Sequence, residues 1–258
     1  MAGLQPVRGT RDILPDERQR HRFIEEMARE AAQRYGYSEI ATPIFEFSDV
    51  FKRTLGDTSD IVTKEMYTFT DKGGDEVTLR PEGTAGVARM LISGGLAQNL
   101  PLKYFYRGPM FRYERPQKGR FRQFHQTGVE LLGVAEPLGD IEVIALGAAV
   151  LGGLGILSKA TLELNTLGNT ESRNAYRENL IAYFNDYRTD LSEDSQDRLE
   201  RNPLRILDSK DKRDRNIVTG APEFSDSLDT ESAEFFAAVT EGLDALSIAY
   251  RLNSRLVR

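Results

Sequence analysis

Phe111-Arg112-Tyr113-Glu114-Arg115-Pro116-Gln117-Lys118-Gly119-Arg120-Phe121-Arg122, closed by Gln123-Phe124-His125-Gln126, sets five cations and one carboxylate around a Pro-Gln-Lys-Gly turn, with aromatic residues on both sides. Solvated charge runs do not usually alternate cations with Phe and Tyr. A strand–loop–strand that grips a polyphosphate and stacks a base needs that alternation. The planar fork of arginine matches phosphate oxygens in pairs, so Arg112, Arg115, Arg120 and Arg122 suit a nucleotide better than lysines would. Phe124 offers a stacking face for adenine. Glu114 can hold one of the arginines in position or accept from an adenine amino group. From Lys103 to Arg122 there are seven Lys/Arg against one Glu, inside a chain of net charge −6. That local reversal is the electrostatic footprint of an anionic ligand. A triphosphate ligand brings Mg²⁺ with it, an ion that takes oxygen ligands. The P-loop pattern Gly-x-x-x-x-Gly-Lys-Ser/Thr does not occur.

Plainer roles compete residue by residue. Any one arginine here can be an ordinary surface or ion-pair residue, and His125 is more readily an inward-facing structural histidine than a catalyst. Glu82 can be a helix N-terminal acid stabilised by the helix dipole. What survives is the ensemble.

The elements that would carry these residues are legible from spacing. Pro15-Asp16-Glu17 opens a helix whose buried stripe is read as Phe23, Met27, Ala31 and Tyr35, and Gly36 stops it. Residues 38–47 are extended, with Thr42-Pro43 disfavouring helix. Residues 66–69 and 76–79 form strands joined by the turn Asp71-Lys72-Gly73-Gly74. A helix starts at Glu82-Gly83-Thr84. Residues 103–113 and 122–132 form an antiparallel strand pair flanking the basic loop. Residues 140–157 are helical and 160–167 a strand. Asn169 caps a helix carrying Ala175, Ile181 and Phe184. Residues 186–228, dense in Asp, Arg, Ser and Lys, read as a small helical insertion, and a last helix spans about 230–253 with Phe235, Val239, Leu243 and Leu246 on one side. The expected class is α+β, an antiparallel sheet flanked by helices. The domains are expected at 1–185 (core), 186–228 (insertion) and 229–258 (a helix returning to the core).

Composition narrows the chemistry. The 258 residues include no Cys and two His, which excludes disulfides, thiolate chemistry and a His-rich metal centre, so no metal-ligating residues are assigned. The longest apolar stretch, 141–157, contains four Gly and one Glu and falls short of a bilayer span. With no secretory leader in Met1-Ala2-Gly3-Leu4, the expectation is a cytoplasmic protein without membrane association.

Several of these runs also resemble a known family. Tyr35-Gly36-Tyr37-x-x-Ile40-x-Thr42-Pro43-x-x-Glu46 is similar to motif 1 of the class II aminoacyl-tRNA synthetases, and Phe111-Arg112-Tyr113-Glu114 with Arg120-Phe121-Arg122-Gln123-Phe124 is similar to their motif 2. Within that class, Val7-Arg8-Gly9-Thr10-Arg11-Asp12, Leu79-Arg80-Pro81-Glu82-Gly83-Thr84 and residues 115–126 resemble the histidyl-tRNA synthetases. The resemblance runs to about residue 180 and returns at Asn253-Ser254-Arg255-Leu256-Val257-Arg258.

The resemblance implies a class II synthetase fold and a two-step ligase reaction, in which histidyl-adenylate forms and its acyl group passes to the acceptor end of tRNA(His). Arg112 would bind the α-phosphate and steady the transition state. Glu114 and Arg115 would contact adenine and the outer phosphates, Arg120 the γ-phosphate, and Phe124 the base. Glu82 and Thr84 would hold the α-ammonium of L-histidine, Gln126 would lie beside the amino acid, and Glu130 would accept from the imidazole N–H. Arg258 matches the second catalytic arginine of the family. ATP is the implied substrate, with Mg²⁺, and motif 1 implies a homodimer. No Gly-x-Gly-x-Arg motif 3 follows motif 2, and no anticodon-binding domain, so the expectation is an N-terminal, C-terminally incomplete catalytic portion. The alternative is the synthetase-like regulatory subunit of ATP phosphoribosyltransferase. Intact motif-2 arginines and Phe124 favour the enzyme.

Overall fold

A computed structural model describes residues 3–56 and 59–256. They form two compact units, Met1–Ala135 with Ala149–Gly155, and Glu136–Ala148 with Ile156–Arg258.

The first unit begins with α1 (Pro15–Arg34), whose proline sits in the first turn with Asp16 and Glu17, where a missing N–H costs nothing and acid suits the helix dipole. The chain leaves it through Gly36 at φ +83°, a left-handed conformation that favours glycine. The buried face is Ala28, Ala31 and Ala32, whereas Phe23 is 56% exposed. A four-residue spacing drifts by about 40° per step around a helix, so Phe23 and Tyr35 lie about 120° apart and cannot share one stripe. After β1 (Ser38–Glu39) and β2 (Phe45–Phe47), α2 (Ser48–Leu55) occupies a stretch that composition did not mark. Then come β3 (Tyr67–Thr70), β4 (Glu76–Leu79), α3 (Thr84–Ser93), β5 (Leu102–Phe111) and β6 (Gln123–Leu132).

These strands make two three-stranded sheets, β1-β5-β6 and β2-β4-β3. The second is antiparallel throughout. In the first, β5 and β6 pair antiparallel from Leu102↔Leu132 to Phe111↔Gln123, while β1 joins β5 in parallel. The α+β class holds, with one mixed and one purely antiparallel sheet in this unit. Side chains alternate faces along a strand, so Tyr104, Tyr106 and Met110 share one face with Phe124, Gln126, Glu130 and Leu132. On that face Val87 and Met90 of α3, with Ile40, pack against Tyr106, Met110 and Phe124. The opposite face meets α1: Arg107 reaches Glu26 and Glu39 at 3.3 and 2.9 Å, and the His21 and His125 rings meet edge-on at 5.1 Å.

The second unit takes the first part of α4 (Pro137–Gly153), then β7 (Leu162–Leu164), α5 (Thr170–Asp186), α6 (Glu193–Arg201), α7 (Lys212–Val218), α8 (Thr230–Ala245) and β8 (Tyr250–Leu252). The last helix is shorter than the sequence pattern indicated. It ends at Ala245, Leu246 is 52% exposed, and residues 250–252 pair in parallel with β7. The division also falls elsewhere than residue 185. Tyr176, Leu180 and Phe184 of α5 share one core with Leu191, Leu199, Ile206, Val218 and Phe224, so α5 belongs with the polar segment that follows it. That segment closes around Asp214, which is fully buried and accepts from Ser192 N, Ser192 Oγ, Ser195 Oγ and Ser209 Oγ.

Candidate functional site

All the assigned residues except Arg258 belong to the first unit, and Arg258 lies outside the described residues. Three come from one face of β6. Phe124, Gln126 and Glu130 stand in a row, and six residues of strand span about 20 Å, enough for a base at one end and an amino acid at the other.

The Glu130 end is assembled by the start of α3. Both oxygens of Glu82 accept backbone N–H bonds, from Thr84 at 2.6 Å and Ala85 at 2.9 Å. Glu82 is therefore the helix-capping acid that its position allowed. A carboxylate has further lone pairs, so the cap and an ammonium partner are compatible. The Thr84 hydroxyl donates to Glu130 Oε1 at 2.7 Å, which leaves its oxygen able to accept. Burial pushes the Glu130 carboxyl above its ordinary pKa, with the Glu82 charge adding to the effect and the hydroxyls of Thr84 and Tyr106 opposing it. Between these acids and Phe124, the Gln126 Oε1 is buried with no hydrogen-bond partner. Buried acceptors are rarely left so, and this one lies where a ligand donor would satisfy it.

Arg112 stands at the other end. Its Nε donates to the Pro81 carbonyl at 2.9 Å, and its guanidinium lies 5.3 Å from the Phe124 ring centroid. Glu114 takes the first of the two roles open to it, accepting from Arg120 NH1 at 2.9 Å. The loop tip turns tightly between Gln117 and Arg120, with Gly119 at φ +80°. Lys64, Glu65, Glu114, Arg115 and Arg120 line a cleft of about 400 Å³. Burial and the neighbouring Glu114 raise the Glu65 carboxyl, which marks a place where added positive charge would be welcome.

The structure separates Arg122 from the other arginines of the hairpin. Its guanidinium stacks 3.8 Å from the Tyr113 ring centroid and donates to the Glu114 and Arg8 carbonyls at 3.2 and 3.3 Å, while its N–H donates to the Gly9 carbonyl at 2.7 Å. Arg11 lies 4.4 Å from the Phe121 ring centroid. The segment 8–11 is thus strapped across the basic hairpin. His125 faces α1, on the side of β6 away from Phe124, Gln126 and Glu130.

Two structural residues escaped the sequence reading. Arg80 is only 6% exposed and donates to the Pro109 and Thr42 carbonyls, tying the strand that leads to Glu82 to the strand that leads to Arg112. Tyr106 fills a slot left by two glycines. A Cβ at Gly83 would lie 2.2 Å from its ring, and one at Gly128 2.4 Å. The available signal was a glycine inside each arm of the hairpin, Gly108 and Gly128, which marks close approach in a strand.

Comparison with known proteins fits this geometry. The sequence profile of the histidyl-tRNA synthetases matches residues 9–172. The chain belongs to the histidyl-tRNA synthetase family. It is 64% identical over its whole length to a histidine–tRNA ligase of Rhodospirillum rubrum and 52% identical over 99% of its length to one of Streptococcus gordonii. It spans 62% and 60% of those two relatives, about three fifths of their length. Among solved structures, the apo histidyl-tRNA synthetase of S. aureus superposes with a TM-score of 0.78 at 37% identity, covering 99% of this chain and 58% of that one. A Bacillus halodurans protein described as ATP phosphoribosyltransferase regulatory subunit/histidyl-tRNA synthetase shares the fold, with a TM-score of 0.64 at 24% identity, covering 96% of this chain and 66% of that one.

Proposed function

We propose that the chain is the ATP- and histidine-binding portion of a histidine–tRNA ligase. The observation that carries this is the single face of β6 on which Phe124, Gln126 and Glu130 stand in line, with Arg112 over the first and Thr84 bonded to the last. Adenine stacks at Phe124, and Arg112 and Arg115 take the phosphates. Arg120, steadied by Glu114, takes the outermost. The ammonium of histidine meets Glu82 and Thr84, and Glu130 accepts the imidazole N–H. Gln126 Oε1 takes a donor from the amino acid.

A carboxylate oxygen of histidine then attacks the α-phosphorus, the bond to the bridging oxygen breaks, and pyrophosphate leaves. Arg112 offsets the charge gathering on the phosphorus oxygens. The 3′-terminal hydroxyl of tRNA(His) next attacks the acyl carbon and AMP departs. Positioning and electrostatics supply the rate, without a covalent enzyme intermediate. Among the described residues no group of three or more His, Asp and Glu could hold a metal ion, so Mg²⁺ is assigned no protein ligand set and no step. No helix among the described residues is long and apolar enough to cross a membrane. Exposed Ile44, Phe45 and Phe47 on the motif-1 segment support a homodimer. The intact Arg112–Phe124 and Thr84–Glu130 pairs favour the ligase over the regulatory subunit.

Calorimetric titration of this chain tests the assignment. Histidine and ATP both bind. Glu130→Gln weakens histidine by about 10- to 100-fold through loss of a charged hydrogen bond and leaves ATP unchanged, while Arg112→Ala weakens ATP. Binding of neither ligand to the unmodified chain overturns it.

A further inference from the structure

Tyr106 has no part in the scheme above, yet it lies on the same sheet face as Gln126 and Glu130. It is 6% exposed. Its hydroxyl oxygen would lie 2.6 Å from a Cβ at Gly83 and 2.4 Å from one at Gly128, so the phenol occupies space that two side chains have vacated. Across the hairpin, Tyr106 pairs with Gly128 and Tyr104 with Glu130, which sets the Tyr106 hydroxyl beside Glu130. Glu130 and Thr84 are both among the groups that act on that hydroxyl. Phenylalanine would fill the slot equally well. The only thing tyrosine adds is the hydroxyl.

We infer that Tyr106 is a positioning residue for histidine selection: its hydroxyl donates to Glu130 and, with the Thr84 hydroxyl, keeps that carboxylate ionised and aimed, so that the site accepts an imidazole N–H and rejects side chains that only accept. This rests on the histidine site proposed above. The groups around Glu130 set the balance. Glu82, from the start of α3, opposes its ionisation. Thr84, from the same turn, and Tyr106, from β5, favour it. Tyr104 is its cross-strand neighbour, and no cation is among the groups that shift it. Burial already raises the Glu130 carboxyl, so loss of a supporting hydroxyl moves its protonation further up in pH. A protonated Glu130 is a donor, and it would bond a ring nitrogen that carries no hydrogen. The Tyr106 hydroxyl itself stays protonated throughout, since burial and nearby Glu130 push its pKa up to about 12.

The test is Tyr106→Phe, with melting temperature checked first, read in two ways. Without ligand, the carboxyl carbon of Glu130 is followed by NMR against pH, assigned with Glu130→Gln. Its titration midpoint moves to higher pH in the variant. With ligand, the affinities for histidine and for β-(thiazol-4-yl)alanine, whose ring has a bare nitrogen and no N–H, are compared at neutral pH. The preference for histidine falls by tenfold or more in the variant, and the acidic limb of histidine binding moves up in pH. An unchanged midpoint and an unchanged preference would reduce Tyr106 to packing and overturn the inference. A shifted midpoint in a chain that binds neither amino acid would uphold the Tyr106–Glu130 coupling and sink the histidine site instead.

Discussion

Glu130 shows at the scale of one residue how function and stability oppose each other. Its carboxyl is raised above the ordinary value by burial and by Glu82. A raised carboxylate pKa means that the folded state favours the protonated form, so Glu130 weakens the fold increasingly as pH rises through its folded pKa. Glu130→Gln keeps the shape and removes the buried charge. We expect it to be more stable than the parent at pH 7 by on the order of 1 kcal/mol, with the gain disappearing towards pH 4, although histidine binding is weakened. Thermal melts of both proteins across that range check it, and a variant that melts lower at pH 7 contradicts it. The alternation of residue types picked out Arg112, Glu114, Arg120 and Phe124, and the fold sets Arg112 beside Phe124 and Arg120 against Glu114. Tyr106 was not, because its role arises from glycines at 83 and 128, one before a helix and the other on the opposite strand. Arg122 looked like a phosphate ligand because its type suits one, and only the fold shows its guanidinium committed to Tyr113, Glu114 and Arg8.

At the scale of elements, the hairpin is held by more than its own ladder. Gly9 adopts φ +85°, and a Cβ there would meet the Arg122 side chain at 2.8 Å and Pro116 at 3.0 Å. Gly9→Ala therefore strains the backbone by roughly 1–3 kcal/mol and lifts the 8–11 strap from the loop that carries Glu114, Arg115 and Arg120. ATP affinity should fall about tenfold while histidine affinity stays constant, since the strap touches only the nucleotide end. Paired calorimetric titrations separate the two, and equal losses would mean general unfolding. The hairpin was visible in sequence because its arms are long and its turn is marked by glycine. The short strands β1 and β2 were read as one extended run, because nothing local tells residues 38–39 that they pair with β5 while 45–47 pair with β4. Residues 250–252 were absorbed into the preceding helix for the same reason, since their partner is β7, about ninety positions earlier in the chain.

At the scale of the whole molecule, a net charge of −6 keeps cationic attraction local to the hairpin, while in the second unit a buried acid, Asp214, gathers three serines. Burial alone would raise Asp214, but the hydrogen bonds from Ser192, Ser209 and Ser195 outweigh it and hold the carboxyl below its usual range. A depressed pKa contributes stability above the unfolded value near 4 and loses it as pH falls through the folded one. Asp214→Asn should cost about 2–3 kcal/mol at pH 7. Urea midpoints of parent and variant should converge below about pH 4; a gap that persists in acid would assign the loss to shape rather than charge. Among the features of the first unit, the Tyr106 slot has a consequence beyond recognition. Its walls are already shaped for a flat ring, because neither Gly83 nor Gly128 brings a side chain to fill it. Tyr106→Gly would leave a phenol-sized vacancy beside the pocket, and engineered apolar voids take up small aromatics from solution. The fold of such a protein would then be conditional, looser in plain buffer and firmed by dissolved phenol acting as a replaceable part.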